Sequence, residues 1–258
     1  MKARTPATKP ASEDVRRRIL LVDDHPILRE GLVQRINAQP DLVVCAEAPD
    51  AHTALDSIES KMPDLAIIDI ALGGKSGIEL IKDIKVRFPQ LPMVVLSMHD
   101  ERLYAERTLR AGAKAYVMKQ DDPEVLLHAI RQVLAGKVHL SERIKETIVN
   151  RLGGNIKEDD ASTAVDQLSD RELEIFQLMG DGFGTHEIAD RLHLSIKTVA
   201  SHRENIKQKL QSKDGNELER FAIHWARYSG SGNAPGIKAA ATSNPAGKKS
   251  RRPAARPN

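Results

Sequence analysis

Cysteine is nearly absent: Cys45 is alone among 258 residues and sits in the apolar run Leu42-Val43-Val44-Cys45-Ala46. One core thiol builds neither a disulfide framework nor a thiolate metal site, and it fits a reducing cytoplasm. Long apolar runs are missing too, since no stretch approaches the roughly 18 residues needed to span a bilayer. The N-terminus has basic residues but no apolar segment after them, which argues against a secretory signal. Aromatic residues make up 3% of a chain that is 40% hydrophobic, so its cores must be aliphatic. No repeat with a period of about 20–50 residues is visible.

What is present divides the chain. Its length suits two modest domains. Residues 1–18 carry a net charge of +4 and residues 229–258 one of +6, which leaves −7 on the body of a chain whose total is +3. The high isoelectric point therefore describes the tails, residues 1–16 and 229–258, whose composition predicts disorder. Between residues 17 and 136, short aliphatic runs alternate with helical periodicities. Strands are predicted at Ile19–Val22, Leu42–Ala46, Leu65–Ile68, Met93–Leu96 and Ala115–Met118. Helices are predicted at Pro26–Asn37, Asp50–Ser60, Ser76–Arg87, Glu101–Arg110 and Pro123–Ala135. Near-continuous apolar strands alternating with helices predict an α/β domain with a doubly wound, five-stranded parallel sheet. A helix over Ser141–Leu152 and a Gly/Asp/Ser/Thr-rich linker fill residues 137–165. Residues 166–228 read as all-α, with four helices opened by the capping box Ser169-Asp170-Arg171-Glu172.

In open α/β sheets, ligands bind beyond the carboxyl ends of the strands. Asp23 and Asp24 end the first strand, Asp69 the third, Ser97 the fourth and Lys119 the fifth. Converging carboxylates repel unless a cation joins them, and oxygen-only ligands suit Mg2+, with Mn2+ able to substitute. A carboxylate beside such a cation is a nucleophile toward phosphorus. Lys119 and the Ser97 hydroxyl are suited to phosphoryl oxygens. Any one of these residues is explained by the liking of Asp for strand ends; five at four ends of one sheet form a set.

Those residues, with Leu20-Leu21-Val22-Asp23-Asp24-His25 and Ala111-Gly112-Ala113-Lys114-Ala115-Tyr116-Val117-Met118-Lys119, resemble the receiver domain of two-component response regulators. The resemblance implies that Asp69 takes phosphate from a sensor histidine kinase. It further implies Mg2+ on Asp24 directly, on Asp23 mainly through water, and on the backbone carbonyl of Ala71. Ser97 and Tyr116 match the switch pair of the family. His99, two residues past Ser97, is either an influence on phosphoryl lifetime or a loop residue. One departure is Gly73-Gly74, where relatives often have Pro four residues after the acceptor; Gly77 keeps its spacing.

In the C-terminal part, charge is polarised. Asp166 to Asp190 holds seven acids against Arg171 alone, whereas Arg191 to Lys213 holds six bases against Glu204 alone. Thr185–Leu192 predicts a short helix, His193-Leu194-Ser195 a turn, and Ile196–Leu210 a helix whose apolar stripe is Ile196, Val199, Ile206 and Leu210. Two helices so joined form a helix-turn-helix, whose second member enters the major groove. Leu168-Ser169-Asp170-Arg171-Glu172, Glu187-Ile188-Ala189 and Ser195-Ile196-Lys197-Thr198-Val199 are similar to the LuxR/NarL-type DNA-binding domain.

By that resemblance Ala200, Ser201 and Glu204 approach base edges. Lys197, Thr198, Lys207 and Lys209 approach phosphates, as does Arg203 if it is not packed inward. The last helix, Asn216–Tyr228, carries Leu218, Phe221 and Trp225 on a stripe that either forms a dimer contact or closes the domain's own core. The implied partners are the kinase, double-stranded promoter half-sites, RNA polymerase and a second copy of the chain. Two other readings stand beside this one. An Asp-based phosphohydrolase is disfavoured because the second acid such enzymes use falls at Ala71. The other is a helix-turn-helix that contacts protein only.

Overall fold

The computed structural model describes residues 16–72, 75–152 and 164–229. The Gly73-Gly74 departure, most of the expected linker and the two basic tails lie outside these residues.

Strands β1 (Arg17–Val22), β2 (Leu42–Ala48), β3 (Leu65–Ile68), β4 (Met93–Ser97) and β5 (Ala115–Met118) form one parallel sheet in the order β2-β1-β3-β4-β5. Side chains of a strand alternate between faces, and here both faces are covered. Leu20, Val22, Ala66, Ile68, Met93 and Val95 point into one core, while Ile19, Leu21, Leu65, Ile67, Val94 and Leu96 point into the other. Helices α1 (Pro26–Asn37) and α5 (Pro123–Leu134) cover the second core. The first is covered by α2 (Ala51–Lys61), α3 (Gly77–Arg87) and α4 (Glu101–Ala111). Full burial of each Leu, Ile or Val contributes about 1.5–3 kcal/mol, so the sheet holds the domain together.

The chain reverses its winding at β1 and β3, and the crevice opens at their carboxyl ends. Local signals set the element ends. Asp50 caps α2 by accepting from Thr53 N at 2.8 Å, so this helix begins one residue later than predicted. Asp122 caps α5 by accepting from Glu124 N at 2.9 Å, with Pro123 in the first helical position. β1 starts two residues early, because Arg17 N donates to Asp41 O and Arg18 N to the Asp64 carboxylate at 2.7 Å.

Beyond α6 (Glu142–Leu152), the C-terminal residues fold as α7 (Asp170–Gly180), α8 (Thr185–Arg191), α9 (Ile196–Lys209) and α10 (Gly215–Ser229). The predicted capping box is present: Ser169 N donates to Glu172 Oε2 at 2.7 Å, and Glu172 N to Ser169 Oγ at 3.3 Å. Leu173, Phe176, Ile188, Val199, Ile206, Leu218 and Ala222 are buried between these helices. Gly180 lets α10 close on α7, since a Cβ there would lie 2.7 Å from Ala222 O. The turn between α8 and α9 passes through His193 at φ +50°.

Candidate functional site

Asp23 and Asp69 leave the ends of β1 and β3 almost fully buried, at 1% and 2% exposure. Lys119, just past β5, reaches both: its Nζ lies 2.7 Å from Asp23 Oδ2 and 2.6 Å from Asp69 Oδ2. Asp24 is half-buried at the rim, its Oδ1 2.7 Å from Nδ1 of the exposed His25. Ligand atoms of Asp23, Asp24, His25 and Asp69 all fall within 4.8 Å of one another. Asp69 Oδ1 also accepts from Ala71 N at 3.2 Å.

Burial pushes the Asp69 carboxyl up to about 6, with Lys119 opposing the rise. Burial likewise works against the Lys119 charge, but the two carboxylates outweigh it and hold the ammonium above its ordinary value. The N-terminus of α3 presses on this site from below. A Cβ at Gly77 would fall on the Asp69 carbonyl oxygen and 2.7 Å from Ile70 Cα. Chemically, the arrangement is a buried carboxylate with a fixed cation and a second buried acid beside it and a third acid, Asp24, at the rim. The donors are oxygens apart from His25, and they fit a hard divalent cation.

Ser97, fully buried at the end of β4, accepts from His99 N at 3.1 Å. Tyr116, 3% exposed, donates its phenol to His99 O at 2.8 Å. Burial raises that phenol far above its ordinary value, so it remains a donor. The His99 ring stacks on Tyr104 at 4.9 Å, and burial depresses its imidazole to about 4, with the Gln177 carboxamide acting in the opposite sense. His99 therefore turns toward α4 and α7.

On α9, Lys197, Ala200, Ser201, Glu204 and Gln208 are exposed, and Thr198 and Lys207 half-buried. Ser195 caps the helix through Thr198 N at 3.0 Å. Glu204, out of place on an anion-binding face, is answered by Lys207 Nζ at 2.6 Å, which holds its carboxyl below the usual range. Two cations are engaged elsewhere. Arg203 is packed inward, donating to Thr185 Oγ1 at 3.2 Å and lying 4.0 Å from Glu219. Lys209 is tied to Glu172 at 2.6 Å at the start of α7. On α10, Leu218 and Trp225 are buried in the domain's own core, while Phe221 is half-buried with its ring 5.7 Å from Phe176.

Two family models match the chain: "Response regulator receiver domain" over residues 19–131 and "Bacterial regulatory proteins, luxR family" over residues 166–222. The chain belongs to the two-component response regulators of the LuxR type. The oxygen regulatory protein NreC of Staphylococcus haemolyticus is 35% identical over 209 residues, covering 80% of this chain and 96% of the relative. Among solved structures, RcsB from Salmonella enterica serovar Typhimurium, bound to promoter rprA with phosphomimetic BeF3-, matches with TM-score 0.55. It is 25% identical and covers 81% of this chain and 98% of that one. A LuxR-family response regulator from Aurantimonas sp. SI85-9A1 matches with TM-score 0.51 at 36% identity, covering 54% of this chain and 99% of that one.

The regulator contains one set of contacts that sequence reasoning missed. The Arg107 guanidinium of α4 donates to Leu168 O at 2.6 Å, Asp166 O at 3.1 Å and Val165 O at 3.2 Å, and lies 3.4 Å from Asp170 Oδ1. Lys82 of α3 reaches Asp170 at 2.7 Å. Tyr104 OH donates to Gln177 Oε1 at 3.0 Å. The partners are about 60–90 residues apart in sequence, and no periodicity or motif links them.

Proposed function

We propose that this response regulator accepts a phosphoryl group on Asp69 and so controls transcription by binding promoter DNA. The observation that carries this reading is Asp69 itself, buried, with Oδ2 held by Lys119 at 2.6 Å and its carboxylate clustered with those of Asp23 and Asp24. Asp23, Asp24, Asp69 and the Ala71 carbonyl would hold Mg2+, or Mn2+ in its place. When bound, that ion supplies charge neutralisation for the phosphoryl oxygens. An Asp69 oxygen attacks phosphorus and forms an acyl-phosphate bond while the bond from phosphorus to the donor breaks, the electron pair leaving with the histidine nitrogen or the small-molecule donor. Lys119 then pairs with a phosphoryl oxygen while the Ser97 hydroxyl turns to donate to another, and Tyr116 stays packed inward behind it.

No acid stands at Ala71 to activate water, which supports a switch rather than a turnover enzyme. The donor is a sensor histidine kinase, and the site of action is the cytoplasm; among the described residues no helix is long and apolar enough to cross a membrane. On DNA, Ala200, Ser201 and Glu204 meet base edges, and Lys197, Thr198 and Lys207 meet phosphates. Arg203 and Lys209, engaged within the domain, instead brace α9. Two copies pair through the outer side of α10 around Phe221, at paired half-sites, where RNA polymerase is met.

The test is phosphorylation by a small phosphodonor with Mg2+, followed by selection of genomic DNA fragments. Wild type should label and then enrich a discrete fragment set, and Asp69→Asn should do neither. Labelling retained in Asp69→Asn would overturn the assignment.

A further inference from the structure

The contacts between α7 and the receiver fall into two groups of unlike strength. At the N-terminal end of α7, Arg107 meets three backbone carbonyls and Asp170, and Lys82 adds a second cation on the same carboxylate. The Arg107 side chain is only 18% exposed, so these charge-assisted bonds are shielded from solvent. Seven residues on, about 10 Å along the helix axis, the second group is a single neutral bond from Tyr104 to Gln177, with the His99 ring stacked beside it. Asp170, Glu174 and Gln177 follow one another at i, i+4 and i+7, so one face of α7 carries the whole seam.

Only the second group touches the phosphorylation machinery. The backbone of His99 is held on both sides by it: its N–H donates to Ser97 and its carbonyl accepts from Tyr116. We propose that Tyr104 and Gln177 form a latch and Arg107 a pivot, so that phosphorylation swings the DNA-binding domain about the start of α7 rather than setting it free. The proposal rests on the reading of Asp69 as acceptor. When the Ser97 hydroxyl turns to a phosphoryl oxygen, it stops accepting from His99 N, the turn after β4 is rebuilt, and the ring that supports Tyr104 moves. The bond to Gln177 breaks; the Arg107 contacts, which no part of that turn reaches, persist.

Charge acts in the same direction. Glu174, 2% exposed midway along the seam, has its carboxyl raised by burial, with Arg171 opposing and the negative charge of Asp69 adding to the rise. A phosphoryl group adds further negative charge there. The latch also closes one end of α10 against the receiver. Trp225 and Ala226 line a crevice of about 230 Å³ against Met98 and His99, whereas the outward residues of α9 stay exposed. Opening the latch widens that crevice and uncovers Trp225, whereas Phe221, around which copies pair, lies outside it.

Trp225 is the sole tryptophan, so its fluorescence reports the crevice directly. The experiment uses the full chain with beryllofluoride and Mg2+, occupancy of Asp69 being followed by 19F NMR. Wild type should shift its emission to longer wavelength on occupancy. Gln177→Ala, and independently Tyr104→Phe, should show the shifted spectrum without beryllofluoride and respond little further. Arg107→Ala should expand the particle in small-angle scattering beyond the occupied wild type. Occupied wild type with an unshifted spectrum overturns the latch while leaving Asp69 as acceptor. So does a resting spectrum for both Gln177→Ala and Tyr104→Phe, a comparison that needs no occupancy. Arg107→Ala no larger than occupied wild type overturns the pivot.

Discussion

Replacing Asp69 by Asn should stabilise the regulator, and the gain should depend on pH. The Asp69 carboxyl is held at about 6 in the folded chain, against about 3.9 for an unfolded aspartate. Between these values the folded state binds more protons than the unfolded one, so stability falls as pH rises through that window. Below it the carboxyl is neutral in both states and costs nothing. Above pH 6 the full difference of about two units applies, or about 3 kcal/mol at 1.36 kcal/mol per unit. Asn keeps the shape and still accepts from Lys119, but carries no charge to bury.

Without divalent cation, Asp69→Asn should therefore melt about 6–12 °C above wild type at pH 7.5, taking about 2–4 °C per kcal/mol. The gap should shrink to about a third of that at pH 4.5. Differential scanning calorimetry in chelator at the two pH values measures it, and millimolar Mg2+ should close the gap by stabilising wild type. Equal melting points at pH 7.5, or a gap of the same size at both pH values, would refute the claim that Asp69 is held at a cost.

Gly77→Ala should destabilise the receiver by about 3 kcal/mol, because the new methyl meets backbone atoms of Asp69 and Ile70 that cannot rotate away. Urea unfolding should show a midpoint lower by about 1–2 M, with phosphorylation slowed. Lys197→Ala should weaken binding to every duplex alike and reduce the slope of log affinity against log salt by about 0.9, read by fluorescence anisotropy. Lys209→Ala should instead lower the stability of the DNA-binding domain by about 1 kcal/mol and leave the salt slope unchanged, because its ammonium serves Glu172. Circular dichroism melts and the same anisotropy titration separate the two lysines.

Strand positions were readable because burial on both faces leaves a continuous aliphatic signature, and Leu65–Ile68 and Ala115–Met118 match their predicted ends. Where prediction was short, as at Arg17, Arg18, Glu47 and Ala48, the strand continues through polar or small residues whose backbone bonds leave no trace in hydropathy. Asp23, Asp24, Asp69, Ser97 and Lys119 were recognisable as a group because each lies at or within two residues of the carboxyl end of a strand, so sheet topology alone brings them to one edge. Their pairing was less visible: that Lys119 bridges two carboxylates depends on side-chain reach.

The cations of the last domain divide the same way. Helical spacing places Lys197 outward correctly, but it cannot say that Glu219 and Thr185 draw Arg203 inward, or that Glu172 captures Lys209. The α7 seam lay further still from view. Arg107, Tyr104 and Gln177 look like ordinary residues of surface helices, and only the folding together of two separately patterned regions gives them partners.

The outward side of α9 stands clear of the receiver while α7 is docked. A regulator built this way conducts its search along the genome identically with and without a signal, sliding and hopping on phosphate contacts. On the proposed function, the stimulus then governs how long a copy dwells, through pairing with a neighbour, and not whether it arrives. Raising the copy number alone would raise non-specific occupancy of the genome in unstimulated cells. The delay after a stimulus would then be set by phosphorylation and pairing, since the copies to be paired would already be on the DNA.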